Sequence, residues 1–104
     1  MKTMFSIFKR NPTKNQFITI IQNLKNILIN KYPRYTGIDV KTVNDYYIKW
    51  INEDNKEKVI ENFEEIIEHI YIISTNSITQ ESINIYLQIL DIYNEKINII
   101  YGFS

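Results

Sequence analysis

The chain is 104 residues long, balances twelve Lys and Arg against twelve Asp and Glu, and contains no cysteine. That length is enough to bury a core in one domain without disulfides or metal, and the missing cysteines exclude a disulfide framework, a Cys-ligated zinc site and thiol chemistry. The zero net charge averages two unlike halves: residues 1–49 hold nine basic residues and two acids, residues 50–104 three basic residues and ten acids.

Isoleucine occurs 23 times and asparagine 13 times, while alanine is absent, a bias that AT-rich coding DNA imposes on any fold. Residue position is therefore a better guide than residue choice, and the β-propensity of the many Ile and Tyr side chains yields to periodicity. The start has a short apolar patch (Met4, Phe5, Ile7, Phe8) before Lys9 and Arg10, too little for a signal-peptide core. No segment approaches the roughly 20 apolar residues of a membrane span. The expectation is a soluble, cytoplasmic protein, with Phe5, Ile7 and Phe8 capping one end of its core.

Thr13 followed by Gln16 has the form of a capping box, and Phe17, Ile20, Ile21, Leu24, Ile27 and Leu28 then recur at helical spacing. This helix is expected to stop near Tyr32, because Pro33 disfavours helical geometry in the residue before it. Residues 33–39, with Gly37, read as a loop. Asp39 or Thr42 caps a shorter helix carrying Val43, Tyr46, Tyr47, Trp50 and Ile51.

The polar stretch Asn52 to Asn55 breaks that helix and starts an acidic one running to about Ser74. Glu53, Asp54, Glu57, Glu61, Glu64, Glu65 and Glu68 are diluted only by Lys56 and Lys58. At about 100° per residue these seven carboxylates fall on one side, with Val59, Ile60, Phe63, Ile66, Ile67 and Ile70 on the other. After a polar turn at 74–77, Ser77 with Gln80, or Thr79 alone, caps a last helix through Ile83, Tyr86, Ile89, Leu90, Tyr93, Ile97 and Ile100. Ile83, Ile85, Leu87 and Ile89 also alternate as a strand would. No Gly or Pro interrupts residues 78–101, however, and that length favours a helix. There is no internal repeat. The predicted fold is all-α: a compact bundle of four helices, at most five, in a single domain spanning 1–104.

Candidate chemistry is sparse. His69 is the only histidine, with Glu65 four residues before it, a pair able to act as acid and base or as two metal ligands. The pattern matches neither HExxH nor the E-x-x-H of di-iron bundles, and a lone histidine at the border of an apolar stripe reads as structural. Two glycines leave no Gly-rich phosphate loop, and the serines lack a partner for covalent catalysis. The expectation is no catalytic residue, no metal and no cofactor.

The basic half offers Lys9, Arg10, Lys14, Lys25, Lys31, Arg34 and Lys41, with Tyr32 and Tyr35 flanking Arg34. Arg between tyrosines suits phosphates and stacked bases; the plainer reading has the lysines solvate the first helix and the tyrosines pack the loop. The acidic run would repel a nucleic acid, so charge sorting points to pairing between helices, a polar partner interface, or both. Like charges at i and i+4 (Glu57 with Glu61, Glu61 with Glu65, Glu64 with Glu68) each cost a few tenths of a kcal/mol, a cost that a cationic partner reverses. The acidic ridge is therefore the first candidate for partner binding, with Tyr32, Arg34 and Tyr35 second.

A short, cysteine-free helical chain with the acidic run Glu53 to Glu68 resembles the small single-domain immunity proteins of secreted bacterial toxin systems, including those of contact-dependent inhibition. The resemblance is one of profile over the whole chain and carries no individual residue. It implies a cytoplasmic, non-enzymatic inhibitor that inactivates a cognate toxin, often a basic nuclease, by covering its active-site cleft. The alternatives are a helical structural or regulatory adaptor, whose ridge only keeps it soluble, and a nucleic-acid binder using residues 9–41.

Overall fold

The computed structural model describes residues 13–102, which form four α-helices: α1 (Lys14–Ile29), α2 (Val40–Ile51), α3 (Lys56–Ser74) and α4 (Gln80–Tyr101). Residues 5–10, expected to cap the core and to add basic charge, lie outside the described residues. Each helix starts on a side chain that accepts the first unpaired backbone N–H groups. Thr13 and Gln16 form the reciprocal capping box, the Thr13 hydroxyl accepting at 3.2 Å and the Gln16 side chain at 2.7 Å. Asp39 caps α2, accepting from the Lys41 N–H and the Thr42 hydroxyl. Asn55 caps α3 and Thr79 caps α4.

Two boundaries differ from expectation. α1 ends at Ile29, short of Tyr32: Asn30 and Lys31 turn back onto the carbonyls of Asn26 and Leu28, and the Lys31 Nζ donates to Ser74 O at 3.1 Å. The chain thus leaves the helix before Pro33 acts on it. α3 begins only after Asn55, so Glu53 and Asp54 belong to the turn before it and not to its acidic face.

The helices run up, down, up and down. Ile38 and Ile78 pair in an isolated parallel bridge, each one residue ahead of a helix cap, so α2 and α4 start together and descend side by side. At the far end Tyr93 Oη donates to Trp50 O and Lys96 Nζ to Glu53 O, both at 2.9 Å. Gly37 is required at the bridge: a Cβ there would lie 2.7 Å from the Ile78 backbone. α4 packs chiefly on α1 and α2, and α1 also packs on α3.

Phe17, Leu24, Phe63, Ile66, Ile70, Ile89 and Tyr93 are among the fully buried residues. Phe63 stacks on Tyr93 (ring centroids 6.0 Å) and tilts against Phe17 (5.5 Å). The alternation at 83–89 resolves as helix: Ile83, Tyr86, Leu90, Tyr93 and Ile97, spaced by three and four, are buried, while Ile85 and Leu87 are only half-buried.

Candidate functional site

The acidic ridge survives in trimmed form on the outer face of α3. Glu57, Glu61 and Glu68 are exposed and make no ion pair among the described residues. Glu64 lies on the same stripe, half-buried, with an interaction of its own. Spacings of three and four place these four side chains one above another over three turns. The core side of the helix (Val59, Phe63, Ile66, Ile67, Ile70) fixes which way the stripe faces.

The other three acids are engaged. Glu65 is half-buried and accepts from Lys49 of α2 at 3.3 Å. Asp54 accepts from Lys96 of α4 at 2.7 Å, and Glu53 turns its carboxylate onto the Asn55 N–H. A third pair joins Lys25 of α1 to Asp91 of α4. Lys25 and Lys49 come from the basic half and their partners from the acidic half, so part of the charge sorting is spent on bonds between helices. Such surface pairs contribute about 0–1 kcal/mol each.

Beyond Glu68 the stripe turns apolar. Tyr71 is 36% exposed and Ile72 49% exposed, three and four residues past Glu68 and so on the same face. Sequence periodicity hides them inside the apolar run 70–73. The spacing from Glu68 is the signal that could have found them.

The second candidate, Tyr32 with Arg34 and Tyr35, sits in the loop between α1 and α2. Tyr32 and Tyr35 are almost fully exposed, 83% and 104%, so neither packs the loop. Arg34 N–H donates to Ile78 O at 2.7 Å and Ile38 N–H to Ser77 O at 3.3 Å, pinning this loop to the one before α4. An open depression of about 630 Å³ lies between them, edged by Arg34, Tyr35, Thr79 and Glu81.

His69 belongs to neither face. Its ring meets Tyr46 and Trp50 edge-on (centroids 4.4 and 5.1 Å), and Nδ1 lies 3.3 Å from the Tyr86 hydroxyl. Burial lowers its pKa below 6.5 although Glu65 and Glu68 act to raise it. Burial likewise raises the Tyr86 phenol to about 12, so a neutral imidazole faces a neutral phenol. Among the described residues no three His, Asp or Glu side chains cluster to hold a metal ion, and no helix is long and apolar enough to cross a membrane.

The fold and surface define an all-α four-helix bundle carrying an acidic stripe with an apolar end. No protein-family model, characterised protein or solved structure matches the chain.

Proposed function

We propose that the chain is a non-enzymatic protein-binding inhibitor of the immunity type. In this reading it neutralises a cognate basic toxin, a nuclease, by laying the outer face of α3 over the cleft where nucleic-acid phosphates would otherwise lie. The observation that carries it is the state of Glu57, Glu61 and Glu68: exposed, stacked in register and without ion pairs among the described residues. Lone folding gains nothing from that register, because adjacent turns repel, whereas a basic surface is attracted to it and steered by it. Tyr71 and Ile72 at its end add the apolar contact area that acids lack.

The test begins with affinity capture from the producing cell, using the chain and a variant with Glu57, Glu61 and Glu68 all changed to Lys. A basic protein captured in stoichiometric amount by the parent, released by salt and lost with the variant, is the expected result. A partner held equally by both proteins at every salt concentration would remove the acidic face from the interface.

A further inference from the structure

Between the flank of α2 and the last turns of α3 a cavity of about 250 Å³ opens beside the acidic stripe. Thr42 and Tyr46 of α2, His69 and Ile72 of α3 and Tyr86 of α4 line it. Pockets that take drug-sized ligands run from roughly 300 to 1,000 Å³, so this one suits a single side chain. Its walls are mostly aromatic and aliphatic, yet three hydroxyl groups and an imidazole are set among them.

We propose that this cavity is a socket for one cationic side chain, an arginine or lysine, of the basic partner; the identity of the occupant as a partner residue rests on the proposed function above. Three features select a cation. Tyr46, half-buried between the stacked ring of Trp50 (centroids 5.1 Å) and the edge-on ring of His69 (4.4 Å), brings what remains of its aromatic ring to the cavity lining, where a guanidinium or ammonium group can meet it. Glu68 lies one turn before Ile72 on the same face of α3, exposed and without an ion pair among the described residues. No Lys or Arg lines the cavity, and the nearby Lys49 is already held by Glu65.

The state of His69 fits the same occupant. Burial keeps the imidazole neutral, so it does not repel an incoming cation. An apolar side chain would use the aliphatic walls equally well and would be indifferent to Glu68. Dependence on that carboxylate therefore separates the two occupants.

The experiment uses the full chain and three soluble probes: the amides of N-acetyl-arginine, N-acetyl-lysine and N-acetyl-leucine. Each is titrated while the His69 ring and the Ile72 methyl signals are followed by NMR. We expect saturable shifts with the arginine and lysine amides, absent with the leucine amide, and binding about twofold to fivefold weaker in Glu68→Gln, the factor that a partly exposed charge contact supplies. A Tyr46→Leu variant is expected to lose the shifts; should it fail to fold, the selectivity of the parent decides alone. Leucine amide binding as tightly as arginine amide, or no saturable shift at His69 and Ile72 with any probe, would overturn the proposal. Because the probes need no partner, the outcome is independent of the capture experiment: a socket that takes arginine amide stands as a site on this chain even if no basic protein is captured.

Discussion

Replacing Glu61 by Lys separates an acidic interface from an ordinary solvated face. Glu61 is exposed, makes no ion pair among the described residues, and has Glu57 and Glu65 one turn away on either side. A like-charge pair at that spacing costs about 0.2–0.5 kcal/mol and an opposite pair returns a similar amount. The substitution converts the two repulsive i±4 pairs into attractive ones, while the i±3 pairs with Lys58 and Glu64 change in opposite senses and offset each other, so the upper limit is about 1–2 kcal/mol by the same figures. Two facts reduce it. Lys49 already draws on Glu65 at 3.3 Å, and Lys placed before Glu is the weaker order along a helix, which leaves about 1 kcal/mol. In a domain of this size that gain raises Tm by about 4–8 °C. Melting followed by far-ultraviolet circular dichroism at low salt measures it, and the gain should shrink as salt screens the charges. The same variant should bind its partner more weakly. A protein that melts lower than the parent would refute the reasoning, since Glu61 would then be making a stabilising contact and the acids would be structural.

Other predictions follow from the core and its closures. His69 is the sole histidine, so its NMR titration is unambiguous, and its midpoint should fall below 6.5. A depressed pKa means the unfolded chain binds the proton first as pH falls; the stability His69 contributes is full above pH 6.5 and is lost below it, and His69→Phe should flatten that dependence. A midpoint at or above 6.5 would contradict the burial assigned to it. Phe63→Ala, at a fully buried ring packed on Tyr93 and Phe17, should cost about 3–5 kcal/mol in denaturant unfolding, against under about 1.5 kcal/mol for Phe63→Leu. Gly37→Ala should destabilise by about 1–3 kcal/mol, because its methyl meets backbone at Ile78 and Ser77 that cannot rotate away; an unchanged unfolding midpoint would show that the bridge between Ile38 and Ile78 is dispensable.

The helices and most of their starts were legible because the forces that set them are local. The Thr13–Gln16 box, the Asp39 cap and the Thr79 cap each act within four residues, and the apolar spacing after each one names its buried face. The run of carboxylates from Glu53 carries the acidic helix three residues ahead of its observed start at Lys56, although an Asn ahead of a helical run is the stronger signal. What the sequence withheld is non-local. Nothing in the residues around Ile38 announces a bridge to Ile78, forty positions away, and nothing near Glu65 shows that Lys49 will reach it. The cavity around His69 joins residues of α2, α3, α4 and the loop before α2, so no window of sequence contains it.

Pairing and exposure together give the zero net charge a direction. Lys25, Lys49 and Lys96 are consumed by Asp91, Glu65 and Asp54, each contact joining separate parts of the chain. Exposed cations without ion pairs among the described residues include Arg34 and Lys41, near the end of the bundle where α2 begins, and Lys58 at the flank of α3. Exposed acids without such pairs include Glu57, Glu61 and Glu68 on the outer face of α3. At the end of Arg34 and Lys41 the exposed Asp39 and Glu81 offset the cations, so on the proposed function the α3 face is the surface that steers a basic partner. Steering of that kind acts on the association rate and weakens with salt, while in the proposed complex the apolar contacts of Tyr71 and Ile72 would act on the dissociation rate. Charge reversal on the stripe should therefore lower the on-rate and its salt dependence, and truncating Tyr71 or Ile72 to Ala should raise the off-rate at every salt concentration. Stopped-flow association and dissociation of the captured partner resolve the two, and an off-rate that responds only to the charge changes would place the apolar end outside the interface.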